Sequence, residues 1–248
     1  MNARSHLIAP KIYRVAQLDG AVRKKMYDLY ERYYGNTDFS RFSSDLANKD
    51  FVLLLFDETE SLQGFSALTV YERQFEGREI RVVFSGDTVV DERHWGQQAL
   101  ALSWLRLAGQ IKAEKPEQPL YWLLISKGHR TYRYLSAFSH DFYPAPDRTT
   151  PHQTLELMHF LARDRFGEAY DPVAGILRFP QSLGNLRAEY AQIPQAHLRL
   201  RVVEFFLERN PGYANGEELV CLCELSATNL RPIARRAFLA GIASATST

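Results

Sequence analysis

The sequence predicts an α/β (α+β) fold, and three observations carry that expectation. Short apolar, β-branched and aromatic runs such as "FVLLLFD" and "PLYWLLIS" read as strands. Between them, apolar residues recur at 3- and 4-residue spacing, the signature of amphipathic helices. Their order is β-α-α-β-β-β-α-β-α, followed by a mixed region. A chain of 248 residues, 46% of them hydrophobic, is long enough for one large domain or one domain with an appended lobe.

Taken in order, "KIYRVAQL" is a short strand. "GAVRKKMYDLYERYYG" places Val22, Met26, Leu29, Tyr30 and Tyr33 on one helical face and closes at Gly35. "DFSRFSSDLANKD" is a shorter helix with Phe39, Phe42 and Leu46 on one side. "FVLLLFD" is a buried strand, and "ETESLQ" turns the chain into the strand "GFSALTVYERQF". "EGRE" is a hairpin turn, and "IRVVFSGDTVVD" is a long strand interrupted at Gly86.

A helix follows Gly96, with Ala99, Leu102 and Ile111 at helical spacing, and stops at the breaker "KPEQP". "PLYWLLIS" lacks alternation, as a strand buried on both faces does. "HRTYRYLSAFSHDFYP" is read as a helix ended by Pro144 and Pro146. The turn cluster "APDRTTP" is the expected boundary, which divides the chain into a core (1–148), a C-terminal extension (149–242) and a disordered tail, "ASATST" (243–248). Within the extension "TLELMHFLARDRFG" and "LRLRVVEFFLERN" read as helices, "AGILRF" and "ELVCLCEL" as strands. The extension is expected to complete the sheet through "ELVCLCEL" and close over a ligand, or to serve dimerisation.

The formal net charge of +1 gives no general reason to expect nucleic acid or an anionic membrane as partner. No run approaches the 18 apolar residues of a membrane span, and a cytoplasmic protein is expected. Cys221 and Cys223 stand two apart, poor geometry for a disulfide, and are read as reduced sheet or core residues. His152 and His159 can share a helix face, but no third ligand has metal-site spacing, so no metal is expected.

An isolated glycine inside a strand pattern marks a bulge or a close backbone approach. A bulge at Gly86 lets neighbouring strands splay, leaving backbone groups with which an extended ligand can pair. The same strand enters a helix through Gly96, whose turn and helix dipole suit a pyrophosphate. Together these features describe a slot for a thiol arm ending in phosphates.

Over roughly residues 11–145 the chain resembles the GNAT superfamily of acyltransferases, on element order and on "GDTVVDERHWGQQALALSWL". The resemblance implies a mixed, mostly antiparallel sheet splayed at a β-bulge and flanked by helices. It also implies an acyl-CoA donor whose pyrophosphate sits on the turn before the helix. Val89 and Val90 match the apolar strand end and Gly96 a turn glycine. In one register Arg93 takes the family's leading Arg/Gln and Gln98 stands where a small residue belongs; in the other Trp95 takes the Arg position. The implied cofactor-binding set is therefore Val89, Val90, Arg93, Gly96, Gln97 and Gln98. The glutamines leave open a second donor, an acyl carrier protein, which presents its arm through a single phosphate.

Acyl transfer to an amine needs a base, oxyanion donors and an acid for the leaving thiolate. Asp87 beside the bulge is the first candidate for base or amine-binding group, with Glu72 on the neighbouring strand as second. The resemblance points to a tyrosine on the helix after "PLYWLLIS" as the acid, and Tyr134 is the choice. Lys127, His129, Arg130 and Arg133 lie near the expected ligand and suit a phosphate or a carboxylate. The expected activity is transfer of an acyl group, medium or long chain among the options, from a thioester to an amine-bearing small molecule or peptide by direct attack. Two alternatives stand beside it: a catalytically silent GNAT-like fold that binds a ligand or partner, and an N-acyl amino acid synthase fed by an acyl carrier.

Overall fold

A computed structural model describes residues 9–179 and 184–246. Its frame is an eight-stranded sheet whose order follows from the hairpins and crossovers that the sequence sets up. β1 (Lys11–Arg14) lies on the edge, antiparallel to β3 (Phe51–Phe56), with Tyr13 opposite Val52. β3 pairs with β4 (Leu62–Phe75), and β4 with β5 (Arg78–Val90), both antiparallel. The β4–β5 turn places Glu76 at φ 48° and Gly77 at φ 75°, the double positive φ that a two-residue hairpin turn requires. β6 (Leu120–Ser126) lies parallel to β5, so the chain between them must cross over, and it does so as α3 (Ala99–Glu114).

α1 (Gly20–Tyr33) begins where the Asp19 carboxylate accepts from the Val22 amide at 2.7 Å. Its Met26, Leu29, Tyr30 and Tyr33 are buried on the face toward the sheet. The short strand β2 (Tyr34–Gly35) follows, and then α2 (Phe39–Ala47), capped by Asp38, which accepts from the Arg41 amide at 2.9 Å. Phe42 and Leu46 of α2 join the α1 face in one core with Val52, Phe65 and Val89 of the sheet.

Beyond β6 lies α4 (His129–Phe138), which is shorter than expected. Ser139 turns extended and the chain then runs beside later segments: Ser139 bridges to Leu230 and Tyr143 to Leu222. Pairing with the C-terminal part of the chain thus ends the helix six residues before Pro144. Residues 145–151 turn the chain into α5 (His152–Phe166), and β7 (Tyr170–Asp171) and β8 (Ile176–Leu177) follow. Of "AGILRF" only Ile176 and Leu177 are strand.

The last part of the chain holds β9 (Asn185–Leu186), which pairs with β2, then α6 (Ala188–Ala191), α7 (Gln195–Leu198) and α8 (Arg201–Arg209). β10 (Glu218–Glu224) enters the main sheet antiparallel to β6, with Leu219 opposite Ser126 and Glu224 opposite Tyr121. The extension therefore contributes a strand to the centre of the sheet. Cys221 and Cys223 of β10 are buried free thiols, and burial raises both pKa values.

The expected disordered tail is corrected for residues 243–246, which end α9 (Pro232–Thr246); residues 247–248 lie outside the described residues. α9 packs on α3 by close backbone contact. A Cβ at Gly109 would run into the Phe238 carbonyl oxygen, and one at Gly241 into that of Arg106. Reciprocal glycines thus let two helices approach nearer than any side chain allows. In an ordinary helix Gly109→Ala would stabilise by about 1 kcal/mol. Here overpacking of about 1–3 kcal/mol opposes that gain. The expected outcome is a lower denaturant midpoint at unchanged slope, and a raised midpoint would show that α9 does not sit on α3.

Candidate active site

The site starts from where two ladders fail. Parallel pairing of β5 with β6 runs from Arg81↔Leu120 to Ser85↔Leu124 and stops there. On its other side β5 slips against β4: Ser66 faces Thr88 and Leu68 faces Ser85, so Gly86 and Asp87 together oppose Ala67. This is the expected bulge. A Cβ at residue 86 would run into Cε of Lys49, whose side chain is 2% exposed, so the lysine packs where only a glycine leaves room.

Past the bulge the N–H of Asp91 donates to the Gln63 carbonyl at 2.8 Å, back toward β4. Backbone direction alternates along a strand, so Thr88 and Val90 turn their N–H and C=O away from β4 into the splay. Thr88 also meets Ser66 by a 2.7 Å hydroxyl contact.

Three spaces converge on this splay, and Thr88 of β5 and Thr131 of α4 line all of them. A small apolar space runs between α3 and α4, walled by Leu100, Trp104, Leu124 and Tyr134. A second opens toward Trp95, Arg130 and Tyr190. The third is a polar cleft of about 520 Å³, entered between α1, α2 and α5 and floored by Asp87 and Glu218. The two threonines thus stand where the walls of an apolar slot and a charged cleft meet, a place we call the neck.

The cleft sets the protonation of its carboxylates. Burial raises the Asp87 pKa, Asp45 adds to that, and Lys127 and Lys49 oppose it. Burial likewise raises Glu218, against the pull of Lys127, whose Nζ lies 3.4 Å from it. Asp87 forms no hydrogen bond or ion pair with the described residues, and its charge is held by Lys127 and Lys49 at longer range. Tyr30 and Tyr34 line the same cleft, and burial first, then Asp87, holds both phenols in their neutral form.

The expected acid, Tyr134, faces both the apolar slot and the Trp95 space. Its ring stacks on Phe138, its hydroxyl makes no hydrogen bond to the described residues, and burial raises its pKa. Tyr134 and Asp87 therefore open onto spaces that share the neck, one on the apolar side and one on the polar side.

Two expected site residues are engaged elsewhere. Glu72 pairs with Arg81 across the β4–β5 ladder, far along the strand from the bulge, and its carboxylate binds Lys115 at 2.6 Å. Arg93 stays beside its own turn: Nε reaches Asp91 at 2.8 Å and a terminal nitrogen reaches Gln63 at 3.0 Å. These bonds hold the guanidinium beside Asp91 and Gln63, with the side chain more than half exposed.

The rest of the turn is divided. Gly96 has φ 89°, a left-handed conformation that favours glycine, and is exposed. Gln97 folds back on His94, backbone N–H to carbonyl at 3.1 Å and amide to Nδ1 at 3.3 Å. Gln98 is the N-cap of α3 without a side-chain bond, so the first amides of that helix carry no side-chain cap. Val89 is buried in the core, and Val90 gives its carbonyl to the Trp95 indole at 2.8 Å.

Sequence reasoning did not single out Glu218, which β10 brings beside Lys127, nor His197, which α7 brings to within 3.1 Å of His129. Arg133 also contacts His197, at 3.3 Å, and Arg130 stacks 3.9 Å over Trp95. Burial lowers the His129 pKa to about 3, so this imidazole stays neutral at physiological pH. His159 bonds the Tyr170 hydroxyl at 2.8 Å. No group of three potential metal ligands lies together among the described residues. No helix among the described residues is long and apolar enough to cross a membrane.

No family model matches the chain, and no curated protein matches it in sequence. Among solved structures it is similar to a probable N-acyltransferase of unknown function from Enterococcus faecalis V583, at 14% identity and TM-score 0.40 over 54% of this chain and 33% of that one. It is similar to the GNAT family N-acetyltransferase YhbS from Escherichia coli, in complex with CoA, at 16% identity and TM-score 0.36 over 53% and 69%. Glucosamine-6-phosphate N-acetyltransferase from Arabidopsis thaliana is similar at 13% and TM-score 0.39 over 58% and 99%. The chain thus spans a third of the Enterococcus protein.

Lys127 offers a test of the charge pattern. A carboxylate whose folded pKa is raised adds stability that is complete below its unfolded pKa and is lost as pH rises through the folded one. Lys127 limits that loss for both Asp87 and Glu218. Lys127→Met should therefore cost about 3 kcal/mol at neutral pH, and less as the carboxylates protonate toward about pH 4. Denaturant melts across pH measure this, and a pH-independent difference would remove the buried carboxylates from the account.

Proposed function

We propose that the protein is a GNAT-like acyltransferase that moves an acyl group from a thioester to an amine by direct attack. The observation that carries this reading is the neck at Thr88 and Thr131, where an apolar slot meets a cleft floored by Asp87. A thioester lying in the slot presents its carbonyl at the neck, beside the N–H that Thr88 turns into the splay. An amine enters from the cleft. The ammonium first gives one proton to solvent. The neutral nitrogen then bonds to the acyl carbon, a proton of the resulting adduct nitrogen passes to the Asp87 carboxylate, the carbon–sulfur bond breaks, and Tyr134 gives its proton to the leaving thiolate. The Thr88 N–H holds the oxyanion during the addition.

The donor is an acyl-CoA or an acyl carrier protein, and two positive features at the mouth suit its phosphate. One is the uncapped start of α3 at Gln98. The other is the pair Arg130 and Arg133, which have no carboxylate within ion-pair distance among the described residues. The direct test is thermal melting with acetyl-CoA, a long-chain acyl-CoA, CoA and a pantetheine-loaded carrier. A ligand at a hundredfold excess over its Kd adds about 2.7 kcal/mol of stability. A response to one thioester identifies the donor; a response to none removes the proposal and leaves the second reading, a silent fold that binds a partner. The bond from Trp95 to the Val90 carbonyl favours that second reading, because it occupies an edge that a thiol arm would use.

The catalytic roles give a separate expectation. Asp87 accepts a proton only when ionised, and burial raises its pKa. The acid limb of kcat/KM should therefore lie above the ordinary carboxylate range. Asp87→Asn should abolish that limb and lower kcat by roughly 10²–10⁴. A pH–rate profile of the two proteins checks both points.

A further inference from the structure

We infer that the amine acceptor carries an anion of its own, so that the cleft takes a zwitterion such as an amino acid or an aminoalkyl phosphate. This rests on the acyltransferase reading for the reaction, but not for the binding. The argument is a pairing of the charges that line the cleft. Lys49 Nζ lies 2.7 Å from Asp45, Arg73 2.8 Å from Asp164, and Lys127 3.4 Å from Glu218. Arg41 also lines the cleft and has a partner of its own. Once these are matched, two opposite charges face the cleft without an ion-pair partner among the described residues. One is Asp87 beside the neck; the other is Arg165 of α5.

Arg165 lies 3.8 Å over the Phe84 ring and 5.5 Å from that of Tyr71, and burial lowers its pKa. Stacking uses the face of a guanidinium and leaves its edge of N–H donors for a planar anion. A bare amine would answer Asp87 and leave Arg165 partly desolvated, with only the Tyr71 hydroxyl and the longer-range pull of Asp45, a carboxylate already paired with Lys49. A zwitterion answers both, its ammonium toward Asp87 and its anion toward Arg165. The same pairing works against ligands with a neutral or cationic far end, which is how a site excludes them. Carboxylate and phosphate share this chemistry, and Arg165 suits either.

The experiment measures binding to the whole protein by calorimetry, with no thioester present. The probes are glycine, β-alanine, γ-aminobutyrate and O-phosphoethanolamine, set against glycinamide and ethanolamine, which lack the anion. At least one zwitterion should bind tenfold or more tighter than the anion-free amines, and the better of the carboxylate and phosphate arms names the anion. Arg165→Gln should weaken that zwitterion by roughly thirtyfold or more, and Arg165→Lys should restore part of the loss. Equal binding of amines with and without the anion would overturn the inference, as would a preference unchanged in Arg165→Gln. Should Arg165→Gln not fold, the wild-type panel and Arg165→Lys still decide. Thioester consumption is read separately. Zwitterion binding without consumption would remove the transfer reaction and keep this inference; consumption with anion-free amines at equal kcat/KM would do the reverse.

Discussion

The parting of β5 from β6 after Ser85 and Leu124 is the constraint on which the rest of the site depends. A parallel ladder that stops in mid-sheet leaves backbone donors and acceptors that must find other partners. Several local devices hold this one open. Trp122, opposite Val83 and two residues before the last paired level, donates to the Ser85 hydroxyl at 2.9 Å and ties the apex of the splay. One level on, the bulge at Gly86 and Asp87 turns β5 toward β4, and Lys49 packs against the glycine. Past the bulge, the Trp95 indole takes up the Val90 carbonyl. The splay is therefore built from buried contacts on both of its sides.

The same parting explains why charge gathers on one side of the sheet. β6 leaves β5 and continues beside β10, which begins with Glu218 where β6 is ending. A carboxylate from the C-terminal part of the chain thereby arrives near Lys127 and Asp87. Two buried carboxylates beside one lysine are costly unless further cations stand near. Lys49 stands on the Asp87 side. The extension is thus structurally inseparable from the cleft, since without β10 neither the edge of β6 nor the side chain of Lys127 has its partner.

Much of this frame was legible in local pattern. Gly86 announced its bulge because a glycine within a β-branched run has no packing reason to be there. α1, α2 and α3 announced themselves by apolar spacing, α1 and α3 also by Gly35 and Gly96. Long-range placement was not legible. Glu72 and Asp87 occupy neighbouring strands, yet strand rise is about 3.3 Å per residue, so a shared ladder says little about a shared site. The local engagement of Arg93 went unnoticed, although its partner Asp91 is only two residues away. α9 escaped notice because its buried residues are small: Ala234 and Gly241 with only Phe238 between them give no apolar stripe to read. Its cue was Gly109, a helix-interior glycine that is explained only by another backbone lying against it.

Trp95 connects the unusual turn with the cations across the slot. Its indole holds the Val90 carbonyl, Tyr190 packs edge-on against it, and Arg130 stacks on its face. Of the two residues that β5 turns into the splay, Thr88 thus retains both backbone groups and Val90 does not. An extended ligand can pair with β5 at Thr88 but must leave the strand one step later, where Trp95 stands. From there its path is bounded by the Arg130 guanidinium rather than by the Gln97 turn, which is folded onto His94. Gln97 closes that turn on His94, and Arg130 stacks on Trp95 across the slot. Positive side-chain charge thus gathers at the start of α4, where Arg130 and Arg133 stand on long stems, while the start of α3 offers only backbone amides.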